Sequence, residues 1–312
     1  MGFDSPAGTT ESPWARAFTA AALGEDNRPA QRWDRWLWAA MLGAFVVSAV
    51  IIVALTMGPG SESVAAALRD APGLTTASGT ARFRMTMTVT ADGVTATPLQ
   101  LEGAIDFEHK SSQLKLSAMG RLVEELRQTG GLVYVASPFV ELPAGAHWVA
   151  ITTDDKKGNP QINQEFASTD PSSGLQFLSG VNDARVLDHL PIDGVDVTHY
   201  GFTLDLESLI NQLGNSSGAF GSALDQVKSI VDLAHVPGEV WIDTEGRVRR
   251  FLIRIDASVS GESVSAVEVL HFSNFDEPVT VDPPAPNDTV PLSAVPDLLS
   301  RLAAGTQKLS PQ

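Results

Sequence analysis

The side chains able to do chemistry are few and scattered. Six histidines stand singly at positions 109, 147, 189, 199, 235 and 271, and no two have the separation that places metal ligands on one helix face. Each reads as a surface histidine or one capped by a polar neighbour. Asp154-Asp155 runs straight into Lys156-Lys157, a pattern of a solvated turn and not of a general acid–base pair. Cysteine is absent from all 312 residues, which excludes disulfides, thiol nucleophiles, cysteine-held zinc, iron–sulfur clusters and lipid attachment through a cysteine. No phosphate-binding glycine loop and no nucleophile elbow occur. Asn215-Ser216-Ser217 and Asn287-Asp288-Thr289 fit the glycosylation pattern but carry little weight. No catalytic residue, metal ligand or cofactor site is expected. What the chain has in quantity is apolar surface, and the elements that carry it decide its use.

The most apolar of these is Trp36 to Met57, a stretch of 22 residues with no charge and only Ser48 and Thr56 as hydroxyls. At ~1.5 Å per residue it makes a helix of about 33 Å, enough to cross a hydrocarbon core of ~30 Å. Its two hydroxyls can bond back to helix carbonyls, which leaves nothing polar stranded in lipid. A cleaved secretory signal would have a shorter apolar core and a shorter leader than the 35 residues here, so the stretch reads as an uncleaved signal anchor. Arg28, Arg32 and Arg35 precede it, whereas Arg69 is the only basic residue between Gly58 and Arg82. Basic residues beside a span stay cytoplasmic, so the N-terminus is expected inside the cell membrane and the C-terminal part outside. Trp33, Trp36 and Trp38 fit an aromatic belt at the inner interface.

The net charge of −16 belongs to the outer part. Residues 1–35 hold five acids against four arginines, which leaves −15 beyond them. A domain that acidic is a poor ligand for nucleic acid or anionic head groups. Its 43% hydrophobic and 19% charged composition is that of a packed globular domain.

In chain order, residues 1–35 are rich in Ala, Gly, Pro, Ser and Thr and read as a disordered cytoplasmic tail. After the span at 36–57, a tether over 58–74 contains a short predicted helix, Val64 to Arg69, ending near Pro72-Gly73. The apolar period then changes from 3.6 to 2. From Ala81 to Val89 every odd residue is apolar and every even one polar, as in a strand with one wet face. Asp92-Gly93 marks a turn, and alternation resumes through Leu99, Leu101, Ile105 and Phe107, then Leu114, Leu116 and Ala118. Leu122 to Thr129, Leu132 to Ala136 and His147 to Thr152 follow, giving six strands of an antiparallel meander.

Helical signals come next. Asp170-Pro171 offers a cap followed by proline at the first helical position, with Leu175, Phe177 and Leu178 behind it. Leu206 to Leu213 and Ala219 to Leu233 are two further helices, the second with Phe220, Leu224, Val227 and Ile230 at helical spacing. Strands are predicted over Ala184 to Leu190 and Val195 to Leu204, and again over Glu239 to Asp243 and Arg247 to Ala257, joined by Asp243-Thr244-Glu245-Gly246 as a hairpin. Ser265 to Asn274 and Val279 to Val281 complete the strands, Pro283-Pro284 and Pro286 end the sheet, and Pro296 to Ala304 forms a last helix stopped by Gly305. The folded domain is expected over 75–284, with a proline-rich segment over 285–312.

Five motifs lie in order along this domain: Asp170-Pro171-Ser172-Ser173-Gly174-Leu175; His199-Tyr200-Gly201-Phe202-Thr203-Leu204-Asp205-Leu206; Val236-Pro237-Gly238-Glu239-Val240-Trp241-Ile242-Asp243; Gly246-Arg247-Val248-Arg249-Arg250; and Pro278-Val279-Thr280-Val281. With the meander before them, they resemble the LolA-like superfamily of lipid carriers, specifically the actinobacterial LppX/LprG group. The resemblance spans roughly Val64 to Pro284. It implies an α+β fold, a curved antiparallel β-sheet or half-barrel with helices covering its concave face, and an apolar cavity between them for acyl chains. The usual members are lipoproteins with an acylated N-terminal cysteine, whereas this chain carries a transmembrane helix in that place.

Phe83, Met85, Met87, Leu101, Ile105, Phe107, Leu114 and Leu116 would line the concave side, with Leu178, Phe220 and Leu224 above them on the helices. Read from the residues alone, they are the core of any half-buried sheet. Under the resemblance they line a lipid cavity. The expected function is a membrane-anchored extracytoplasmic protein that binds or transfers a lipid or lipoglycan, with acyl chains, the cytoplasmic membrane and another envelope protein as partners and no nucleic acid. The alternative is an envelope sensor or regulatory protein that uses the same fold with a filled core.

Overall fold

The computed structural model describes residues 62–96, 98–158, 162, 178, 181, 183–204, 235–259 and 262–307. The expected tail, the span Trp36 to Met57 and the helices Leu206 to Leu213 and Ala219 to Leu233 lie outside these residues, as does the helix after Asp170-Pro171 apart from Leu178. Among the described residues no helix is long and apolar enough to cross a membrane.

The described chain starts with helix α1 (Glu62–Thr76) and then builds one sheet from β1 (Thr80–Ala91), β2 (Val94–Thr95), β3 (Leu99–Asp106), β4 (Ser111–Ala118), β5 (Arg121–Thr129), β6 (Leu132–Ala136) and β7 (Trp148–Ile151). A short helix α2 (Thr153–Gly158) follows, and β8 (Asp183–Ile192), β9 (Val195–Leu204), β10 (Val236–Asp243), β11 (Val248–Val259) and β12 (Glu262–Ser273) return along the other half. The short strand β13 (Thr289–Pro291) and helix α3 (Leu298–Gln307) come last. The strand order is β13-β7-β6-β5-β4-β3-β1-β12-β11-β10-β9-β8, with β2 attached to β1. All pairs are antiparallel except β13 with β7. The sheet is curved and unclosed, with β13 and β8 at its ends.

The six-strand meander of the sequence is β1 and β3 to β7, and its two halves meet where β1 pairs with β12. Register shifts at Leu116/Ser117, Val186/Asp188 and Trp241/Ile242 interrupt three of the ladders. Such irregularities bend the strand that carries them and increase its twist. The hairpin at Asp243 forms as expected: the Gly246 N–H donates to the Asp243 carbonyl at 2.9 Å, and Gly246 takes φ +81°, which no L side chain adopts easily.

Four expectations need correction. The first helix does not stop at Arg69 but continues through Pro72 to Thr76, because Leu68, Ala71 and Thr75 on one stripe are fully buried against the sheet. Tertiary packing there outweighs the bond that proline removes. Asp154 to Lys157 form helix α2, not a turn. Thr152 Oγ1 accepts the Asp155 N–H at 3.1 Å, while the Asp155 carboxylate accepts the Thr152 N–H at 2.8 Å, a reciprocal cap. Val279 to Val281 is no strand; the last strand is β13, beyond the prolines expected to end the sheet, and it pairs in parallel with β7. Helix α3 runs past Gly305 to Gln307.

Two main clusters hold the structure together. The larger lies on one face of β1, β3, β4 and β9–β12, with α1 supplying Leu68 and Ala71. The smaller joins Val133, Val135, Val149 and Ile151 of β6 and β7 to Leu292, Val295 and Leu298 near the C-terminus.

Candidate functional site

The inner face of the sheet is set by the pleat of β1. Ala81, Phe83 and Val89 on its odd positions are buried, and Met85 is half-buried. Pairing carries this phase sideways. One rung runs Leu116–Leu101–Met85–Leu270–Phe251–Val240–Tyr200 across seven strands. Directly opposed side chains of this kind pack in cross-strand contact. On the side towards Ile105, Leu114, Gly103, Phe83 and Phe272 share a rung. Gly103 is required there by close approach, since a Cβ would stand 2.0 Å from the Gln113 carbonyl oxygen and 3.0 Å from the Phe83 ring.

The sequence-derived lining residues divide as follows. Phe83, Ile105, Leu114 and Leu178 are buried members of the larger cluster, and Met85, Leu101 and Phe107 pack against it half-buried. Met87 is buried. Leu116 packs instead in a small satellite cluster with Ala118, Val123, Leu99 and Phe139. Phe220 and Leu224 lie outside the described residues. The sheet therefore brings together Phe83, Met85, Leu101, Ile105, Phe107 and Leu114, and Leu178 joins them.

One residue of this face was missed. The rung beyond Met85 runs Ala118–Leu99–Met87–Glu268–Ile253–Gly238–Phe202–Ala184, and it contains a single ionisable group at its centre. Glu268 is 7% exposed, and among the described residues its Oε2 has no hydrogen-bond partner. Burial pushes its carboxyl up to about 8, so it is a neutral acid at pH 7. The signal was present in the sequence: Leu270 and Phe272 fix the inward phase of β12, and counting back by twos lands on Glu268.

The outer face carries the satisfied polar groups. His199, read from sequence as a surface or capped histidine, is capped but buried: Asp188 lies 3.2 Å from Nδ1, Glu239 lies 3.0 Å from Nε2, and the ring stacks on Trp241 at 4.1 Å. Among the described residues no group of three or more His, Asp or Glu side chains could hold a metal ion.

No family model matches the chain. No curated protein matches it either. Solved structures do. The chain is similar to the lipoprotein LppX of Mycobacterium tuberculosis, with 17% identity over 71% of this chain and 100% of that one and a TM-score of 0.42. It is similar to LprF of Mycobacterium bovis, with 16% identity over 73% and 100% of the two chains and a TM-score of 0.37. A LolA superfamily protein of Nitrosomonas europaea matches at 11% identity over 70% and 96%, with a TM-score of 0.26. LppX and a LolA superfamily protein are thus among the solved structures similar to this chain, and these are names of the group that the sequence motifs resemble.

Proposed function

We propose that the chain is a membrane-anchored extracytoplasmic protein that holds the acyl chains of a lipid or lipoglycan against the inner face of its sheet and passes the lipid to another envelope protein. The observation that carries this reading is the rung Leu116–Leu101–Met85–Leu270–Phe251–Val240–Tyr200, an apolar surface seven strands wide on an unclosed sheet. Apolar surface of that extent is covered by the protein's own helices or by a ligand. Half-buried Met85, with its flexible thioether, suits a surface that must fit chains of varied shape. The N-terminal span Trp36 to Met57 is the proposed anchor.

The test is photolabelling of the full-length protein in nanodiscs with a phospholipid that carries a diazirine on its acyl chain. Labelled peptides are expected from β1, β3 and β4, and Phe107→Arg is expected to abolish that labelling while the protein keeps its fold, because a guanidinium forced into an apolar site either stays unpaired or admits water. Labelling confined to residues 36–57, with none in the sheet, would mark a filled core and end the lipid-holding reading.

A further inference from the structure

Glu268 is an anomaly on a face otherwise suited to hydrocarbon. Its two cross-strand neighbours are Met87 on β1 and Ile253 on β11, and its neighbours along the inner face of its own strand are Ala266 and Leu270. None of these can pair with a carboxyl. Oε2 is buried and has no partner among the described residues. Buried polar groups are almost always hydrogen-bonded, so an orphan in the middle of this apolar rung points to a missing partner. Simple core packing gives no reason for the group, because a methionine or leucine would fill the volume with no polar atom to satisfy.

We propose that Glu268 is the specificity-determining group of the inner face and selects an amphiphile that carries a neutral hydroxyl over bare hydrocarbon or a carboxylate. The inference rests on the lipid-holding reading and refines it. A protonated carboxyl offers one O–H donor and one carbonyl acceptor, and an alcohol offers the complementary pair, so both groups are satisfied in one contact. A hydrocarbon leaves the carboxyl unpaired. A carboxylate ligand brings a charge into a site whose described lining holds no cation to meet it, which the low-dielectric surroundings penalise. The neutral state that the contact needs is the one burial imposes, since the carboxyl is pushed up to about 8.

The experiment displaces a pyrene-labelled acyl lipid from the full-length protein in nanodiscs with hexadecan-1-ol or with its isostere heptadecane, at pH 6. The ratio of the two apparent affinities is compared between proteins, so partition of each probe into the nanodisc cancels. Wild type is expected to favour the alcohol by ~10-fold relative to Glu268→Met, the scale of one net buried hydrogen bond. Glu268→Gln, which keeps a donor and an acceptor, is expected to retain most of that preference. Glu268→Met is expected to fold at least as well as wild type and to bind heptadecane no more weakly, because it removes an unpaired polar atom without removing volume. An alcohol-to-alkane ratio in Glu268→Met equal to that of wild type would overturn the assignment and leave lipid holding intact. Failure of the pyrene lipid to bind wild type at all would remove both readings together.

Discussion

Two buried carboxyls on the returning half of the sheet stand at opposite ends of carboxyl chemistry. Burial tends to raise Asp243, but the backbone N–H of Arg247 at 2.9 Å and the guanidinium groups of Arg249 at 2.8 Å and Arg247 at 3.0 Å outweigh it and hold the carboxyl below its ordinary range. Burial pushes Glu268 up from 4.5 to about 8, with no described group opposing it. The difference is one of partners, not of burial. It sets a sign for stability against pH. Between pH 4.5 and 8 the unfolded chain has lost the Glu268 proton while the folded chain keeps it, so raising pH in that window favours unfolding, by at most about tenfold in the folding equilibrium per pH unit. Below 4.5 both states are protonated and above 8 both are ionised, so this group adds no slope there. Thermal melts of the full-length protein from pH 5 to 9 are expected to show the decline in wild type and a flatter profile in Glu268→Gln; equal slopes would show that the carboxyl is not neutral in the folded protein.

At the scale of elements, α1 is the piece whose role changed most between sequence and structure. It belongs to the core, since Leu68 and Ala71 are fully buried in the larger cluster. Its last turn is tied to the sheet through one hydroxyl. Thr75 Oγ1 donates to the Ala71 carbonyl at 2.7 Å and accepts the Val248 N–H at 2.9 Å, at the first residue of β11. Thr75→Val keeps the volume and strands a buried N–H, which is expected to cost ~1–3 kcal/mol. Thr76→Val, at a part-buried neighbour whose hydroxyl bonds only within the helix, is expected to cost less. Denaturation midpoints of the two variants check the order, and a reversed order would show that the helix is held by its apolar stripe alone.

At the scale of the whole molecule, the docking of α1 shortens the leash. With a span ending at Met57, only residues 58–61 separate it from a helix packed on the sheet. Four residues reach at most ~14 Å when extended. A carrier anchored by the proposed span would be held against its own membrane, where tethering would supply effective concentration without affinity for head groups and would suit the acidic domain. Replacing Trp36 to Met57 with a cleavable signal, to release the domain, is expected to abolish function in a deletion strain at normal expression. Full rescue by the released domain would exclude a hand-off at the membrane.

The sequence alone determined the sheet, because period-2 alternation from Ala81 to Val89 and through Phe107 is a local signal that the pleat converts directly into buried and exposed faces. It also determined the Asp243–Gly246 hairpin, where turn chemistry is local, and most of the inner face of the meander. Tertiary structure decided what depends on partners distant in the chain. Pro72 stays helical because the sheet packs beneath it, β13 forms after three prolines because β7 offers a parallel edge, and Glu268 becomes a neutral acid because pairing of β12 with β1 and β11 sets it between Met87 and Ile253. Its phase could be counted from Leu270 and Phe272, but its desolvation is a property of the strands on either side. Alternation along a strand fixes which way a side chain points, and only the neighbouring strands fix what it meets there.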